Sequence, residues 1–227
     1  MRRIAPLAVA VFLGFPGSAQ VIATGALKRT MWDGQCSGLI AMDTLGLPGV
    51  YGMGPLEHMR GEITLVDGRC HVARVDGDSL VVQVDSTVKA PFFVHARVAR
   101  WEDVKLPREV ADDRHLDAYL DQRSGDEPFF FRLAGRFDAV DLHVWDLPAD
   151  SSFRGPAEGA RHKRHFSLKE ADGEVVGVFS RHHRTVFTHH DSSIHLHFLS
   201  SDGRTMGHVD ALRISSTEVV LGIGSGP

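Results

Sequence analysis

His195, His197 and His208 are the residues of this 227-residue chain whose types and spacing could carry chemistry with the least help from the rest of the fold. Ile194-His195-Leu196-His197-Phe198-Leu199 alternates with period two, and Ser201-Asp202-Gly203-Arg204 is a turn signal of the Asp-Gly kind, so the segment reads as two strands of a hairpin. With Asp202 and Gly203 as the turn residues, Ser200 pairs with Thr205, Leu199 with Met206, Phe198 with Gly207 and His197 with His208. Side chains at i and i+2 share a strand face, and opposed residues hold their Cβ atoms about 4.5 to 5.5 Å apart. Three imidazoles therefore converge on one face, with Leu196 and Phe198 turned outward. Three neutral imidazoles suit a borderline transition metal, zinc above all with cobalt, nickel and iron also accepted, and three protein ligands leave a coordination position for water or substrate. The plainer alternative is a half-exposed strand in a chain that carries 14 histidines.

Other groups lie near this hairpin in sequence. His182, His183 and Arg184, then Thr188, His189, His190 and Asp191, read as a polar loop feeding the metal-binding strand. His190, or its neighbour His189, is a candidate proton donor or a partner that orients a ligand imidazole. Glu62 opens a predicted strand after the glycine-bearing stretch from Tyr51 to Gly61, which reads as a loop of ordinary turn residues, and by composition alone Glu62 is an exposed carboxylate at a strand edge. No nucleophile elbow, phosphate-binding loop or cysteine signature is present, so metal-dependent chemistry is the better class.

The elements that must position these residues are mostly strands. Val21 to Leu27, Glu62 to Val66, Arg69 to Val75, Ser79 to Val84 and Pro91 to Val98 form a first group, with Asp67-Gly68 and Asp76-Gly77 marking a meander. Pro107 to Gln122 is predicted as a helix, because Val110, Leu116, Tyr119 and Leu120 recur at helical steps. A second group comprises Phe129 to Leu133, Phe137 to Val144, His165 to Leu168, Glu174 to Phe179, Ile194 to Ser200, Met206 to Ile214 and Glu218 to Leu221, with Pro148 to Arg164 as a surface loop. The expectation is an α+β protein of two intimately packed, strand-rich lobes, about residues 20–125 and 126–227, with mixed or antiparallel sheets and few helices.

Residues 1–19 read as an export signal: Arg2 and Arg3, an apolar run from Ile4 to Phe15 too short to span a membrane, then Gly17-Ser18-Ala19. Cleavage there would leave 23 basic against 29 acidic side chains, moving the formal charge from −4 to −6. That balance argues against nucleic-acid and anionic-membrane partners, and the expected location is periplasmic or secreted. Cys36 and Cys70 are the only cysteines, and in an oxidising compartment they form either one disulfide or two separate buried thiols.

His195-Leu196-His197-Phe198 followed by Gly207-His208-Val209-Asp210 resembles the metal-binding signature of the α-acetolactate decarboxylases. Gly61-Glu62-Ile63 with Val66-Asp67-Gly68 is similar to that family's Asp-Gly-Glu strand and hairpin, and Ala90-Pro91-Phe92-Phe93 to its Thr-Pro-Phe segment. The resemblance runs from about Met31 to Asp210. It implies a two-lobed α+β fold, often a homodimer, that converts the small oxo acid 2-acetolactate to acetoin and carbon dioxide. A zinc ion would act as Lewis acid on the substrate's ketone and hydroxyl oxygens, and Glu62 would handle a proton or fix the hydroxyl. Two departures stand out. An ungapped placement puts His143 where the family has a substrate-binding arginine, and histidine cannot reproduce the planar guanidinium fork. The family's C-terminal glutamate lies well beyond the third histidine, whereas nineteen residues follow His208 here and Glu218 is too near to be its counterpart.

Cupins carry a glutamate four or five positions after their His-x-His, where this chain has Ser201 and Asp202, and α-type carbonic anhydrases place the third histidine much further away. The sequence leaves three readings open: a decarboxylase of 2-acetolactate or a related 2-hydroxy-3-oxo acid, a metal- or ligand-binding protein that keeps the fold without turnover, and a structural zinc site completed by His189, His190 or Glu62.

Overall fold

The computed structural model describes residues 18–188 and 191–227. In chain order its elements are β1 (Ile22–Thr24), α1 (Leu27–Asp33), β2 (Ile40–Ala41), β3 (Val50–Pro55), β4 (Glu62–Val66), β5 (Arg69–Asp76), β6 (Ser79–Val84), β7 (Lys89–Ala90) and β8 (Phe93–Arg97). There follow β9 (Arg100–Lys105), α2 (Asp113–Arg123), β10 (Phe129–Trp145), α3 (Pro156–Gly159), β11 (Lys163–Phe179), β12 (Ile194–Ser200) and β13 (Met206–Ser225). One sheet has the order β1-β8-β3-β4-β5-β6 and the other β10-β11-β12-β13-β9, and every ladder in both is antiparallel. Because β10 also pairs with β13, strands β10 to β13 close into a ring. The expected signal falls mostly outside the described residues; of its last two, Ser18 bridges to Ser225 and Ala19 is buried.

Local chemistry explains where elements start and turn. Asp67 and Gly68 both adopt positive φ, 51° and 76°, which is the two-residue turn an Asp-Gly pair favours, so β4 and β5 form a tight hairpin. Helix α2 begins at Asp113 rather than Pro107, because the Asp112 carboxylate accepts the His115 backbone N–H at 2.8 Å and fixes the first turn there. Residues 107–110 instead make a separate turn, Val110 N–H donating to Pro107 O.

Three pairs of predicted strands fuse into long ones: β10 spans both segments read as Phe129 to Leu133 and Phe137 to Val144, and β11 and β13 likewise absorb their gaps. The intervening glycines and polar residues, which look like turns, lie inside continuous ladders, as bulges where β10 meets β13 and in unbroken register where β10 meets β11. Gly135 has φ 145°, and a Cβ there would run into the backbone oxygen of Glu218. The Val21 to Leu27 strand shortens to β1 because the chain turns helical at Leu27. The loop predicted over Pro148 to Arg164 contains α3 and the start of β11. Strand β9 had no counterpart among the predicted elements, and Tyr51, Gly52 and Gly54, read as turn residues, belong to β3. Gly54 is required in that strand because a Cβ would meet the Phe92 carbonyl.

The ring interior is filled by Phe131, Leu133, Phe137, Leu142, Val175, Leu196, Phe198 and Leu212, and burial of each phenylalanine contributes about 1.5–3 kcal/mol. Leu196 and Phe198 therefore point into a core, not outward: ring closure covers the hairpin face opposite the histidines. Between the two sheets Met53, Phe92 and Val94 meet Phe130, Val176 and Val178. Cys36 and Cys70 are free thiols in separate apolar clusters. Among the described residues no helix is long and apolar enough to cross a membrane.

Candidate metal centre and its buried carboxylate

The β12–β13 hairpin keeps the expected register, with His197 opposite His208, Phe198 opposite Gly207 and Leu199 opposite Met206. His195, His197 and His208 are all buried, and each offers a ring nitrogen within 4.8 Å of those of the other two. His195 donates from Nδ1 to the Phe187 carbonyl at 2.9 Å, which leaves Nε2 as a lone-pair donor directed toward His208 Nδ1, 3.1 Å away. Thr64 Oγ1 lies 2.9 Å from His197 Nδ1 and 3.1 Å from Met206 Sδ. With the hydroxyl donating to sulfur and accepting from Nδ1–H, His197 Nε2 is likewise left as a lone pair. Two imidazoles held in one tautomer from behind, with a third beside them, match what a tetrahedral divalent ion asks of its ligands.

Glu62 is only 2 % exposed, not the solvent-edge carboxylate that composition alone implies. Its Oε2 lies 3.6 Å from His197 Nε2 and its Oε1 4.0 Å from His143 Nε2. Burial pushes its carboxyl well above the usual carboxylate range, against the pull of Lys163 and with a push from Asp210.

His143 stands opposite His208 on β10, with ring centroids 4.6 Å apart. Its Nδ1 donates to Asp210 Oδ1 at 2.6 Å, and the other Asp210 oxygen lies 3.1 Å from Nδ1 of the exposed His165. Burial lowers the His143 imidazole to about 4 even though the Asp210 bond favours its charged form, so the ring is neutral at pH 7 with Nε2 turned toward Glu62. Asp210 occupies a bulge: Val209 pairs with Leu142 and Ala211 with Asp141, leaving the residue between them unpaired. Sequence reasoning quoted Asp210 only as part of a motif. The alternation of polar and apolar residues that could have marked it is interrupted by the bulge.

His190 and His189 lie outside the described residues. From the same loop the Phe187 carbonyl accepts from the His195 ring, while His183 stacks on Phe187 and meets Ser180 at 2.8 Å, and His182 is an exposed partner of Asp126. Thr64 and Lys163 were missed. Thr64 is one of several similar threonines, and Lys163 was read as the end of a loop. A cavity of about 130 Å³ joins Glu62, His143, His195 and His208 to Lys163 and to an apolar wall that includes Trp145 and Phe92.

Two packed antiparallel sheets with a buried three-histidine cluster and a protonatable carboxyl between them define a class, that of α+β proteins built around a candidate metal centre. The sequence profile of the alpha-acetolactate decarboxylase family matches residues 24–225, and the chain belongs to that family. It is 25% identical over 204 residues to the alpha-acetolactate decarboxylase of Lactococcus lactis subsp. lactis strain IL1403, covering 87% of this chain and 80% of that one. It is 22% identical over 209 residues to the Brevibacillus brevis protein of the same name, covering 91% and 71%. The fold matches the crystal structure of alpha-acetolactate decarboxylase from Bacillus subtilis strain 168 with a TM-score of 0.75 at 16% identity, over 92% of this chain and 86% of that one. A Staphylococcus aureus protein of unknown function, described as similar to alpha-acetolactate decarboxylase, superimposes with a TM-score of 0.71 at 16% identity over 89% and 84%.

Proposed function

We propose that this protein decarboxylates 2-acetolactate to acetoin and carbon dioxide with a divalent metal, zinc in the first instance, held by His195, His197 and His208. The observation that carries the reading is the placement of buried Glu62 3.6 Å from His197 Nε2, at the edge of a three-imidazole cluster in a chain of this family. When bound, the metal supplies Lewis acidity toward the substrate's ketone and hydroxyl oxygens. The Phe187 carbonyl and Thr64 keep His195 and His197 in the tautomer that holds it.

The protein's own groups govern the proton. As the bond to the substrate carboxylate breaks, its electron pair moves toward the adjacent ketone oxygen, and carbon dioxide leaves. Glu62, whose carboxyl burial shifts toward the protonated form, gives its proton to the carbon that lost the carboxylate, and acetoin results; one proton from solvent then restores Glu62. His143, neutral and anchored by Asp210, presents an acceptor nitrogen beside Glu62 and the substrate hydroxyl. Trp145 and Phe92 keep bulk water from the reacting carbons. Residues 1–19 support export as part of the same proposal.

The test is to purify the protein with its metal quantified and follow carbon dioxide and acetoin release from racemic acetolactate beside an EDTA-stripped sample. Metal-dependent turnover is expected. Stoichiometric metal without turnover on acetolactate would reject this substrate.

A further inference from the structure

The cavity has a built-in cation that the decarboxylase reading does not yet use. Lys163 is the one lysine or arginine among the described residues lining it. It stands directly opposite Trp145, which is two residues from His143 on β10, so Lys163 and His143 share one sheet face and one cavity. Its ammonium lies over the Trp145 ring, 5.2 Å from the centroid, so the indole face holds the charged head at the wall of the cavity. Among the described residues no carboxylate oxygen comes within ion-pair distance of that head; burial lowers its pKa, and the nearby Asp210 carboxylate opposes that shift.

Resting on the decarboxylase reading, we propose that Lys163 binds the substrate's carboxylate and sets the site's preference for a small anionic acid. A partly buried ammonium without an ion-pair partner favours a ligand that brings a carboxylate, and the neutral ring of His143 offers no charge for that purpose. The carboxylate is the group that departs, so its charge fades as the reaction proceeds. An interaction with it stabilises the bound substrate more than the transition state, and its loss raises KM more than it lowers kcat. One charge-assisted hydrogen bond corresponds to an affinity change of about 10- to 100-fold.

The experiment uses the metal-loaded enzyme with Lys163→Met, which keeps an unbranched side chain beside Trp145, and Lys163→Arg, which keeps the charge. Acetolactate kinetics are measured together with calorimetric binding of 2-hydroxy-2-methylpropanoate and its neutral amide. Lys163→Met should raise KM about 10- to 100-fold with kcat nearly unchanged, weaken the acid by a similar factor and leave the amide where it was; Lys163→Arg should restore the acid. Equal weakening of acid and amide would mark a structural role and overturn the proposal, as would an unchanged acid preference in Lys163→Met. If the methionine variant does not fold, Lys163→Gln is read the same way, and wild-type enzyme binding acid and amide equally would itself refute the assignment. Absence of acetolactate turnover alongside a Lys163-dependent acid preference would reject the decarboxylase reading and keep Lys163. Turnover without such a preference would do the reverse.

Discussion

His208 has two neighbours across the sheet, His197 on β12 and His143 on β10, and the two sides are built differently. Toward β12 the ladder is regular, so alternation alone puts three imidazoles on one face. Toward β10 the ladder is bulged at Asp210, and that extra residue lets a carboxylate take hold of His143. The hairpin side collects like groups, three imidazoles, two of which are held with Nε2 as a lone pair, as a cation requires. The bulged side joins an imidazole to the carboxylate that anchors it and brings that ring's Nε2 to 4.0 Å from Glu62 of the other sheet. A regular ladder suffices to gather ligands, whereas positioning a proton-handling pair takes a local break in one.

The hairpin side is broken most completely by His197→Ala. Metal content by elemental analysis should fall to background and acetolactate turnover with it; full activity in that variant would remove the metal centre from the mechanism. Glu62→Gln acts on the other side. It should leave the metal bound while lowering kcat by about 10²–10⁴, the usual worth of a positioned general acid. A glutamine variant with wild-type kcat would show that the proton comes from elsewhere.

This division also governs what could be read before folding. The hairpin's ligands lie within fourteen residues of one another, and period-two alternation carries them to the right register even though the ladder breaks off after Leu199–Met206 and Ser201 to Arg204 form a wider turn. Glu62 was recognisable through family resemblance, but its burial was not, because a carboxylate at the head of a strand is ordinarily exposed and only the second sheet covers this one. His143, Asp210 and Lys163 meet through pairings 67 residues apart or through bulges that change which face a residue occupies, and no local pattern encodes those. The fold class was legible from strand periodicity. The long strands were not, since Gly135 beside a bulge and Gly173 within a regular ladder carry the same signal as turns.

A smaller effect separates His143 from its neighbours. Its imidazole is lowered to about 4 in the folded protein from an ordinary value of 6.5. Between those values the unfolded chain binds a proton that the folded one refuses. The stability this neutral ring permits is therefore fully present above pH 6.5 and is lost as pH falls toward 4, by an amount on the order of 3 kcal/mol. Glu62, shifted upward by burial, works in the opposite direction, so the comparison must be with a variant and not with pH alone. Thermal melts of metal-free protein across this window should show His143→Gln with a flatter acid limb than wild type. Parallel curves would mean that His143 is not the group responsible.

The least disruptive test returns to the hairpin from behind. Thr64 reaches His197 from the first sheet, so one ligand of the β12–β13 pair is oriented by a strand that contributes no histidine to the cluster. Thr64→Val preserves shape but removes the hydroxyl from between His197 Nδ1 and Met206 Sδ, leaving the ring's outer N–H buried without its acceptor. Partners of this kind are worth about 10- to 100-fold in metal affinity. Competition against a chelator should show a loss in that range, while kcat of the fully loaded enzyme stays close to wild type because neither Glu62 nor His143 is disturbed. Unchanged affinity would mean that the hairpin alone fixes the ring, and the regular ladder would then gather its ligands without help from the opposing sheet.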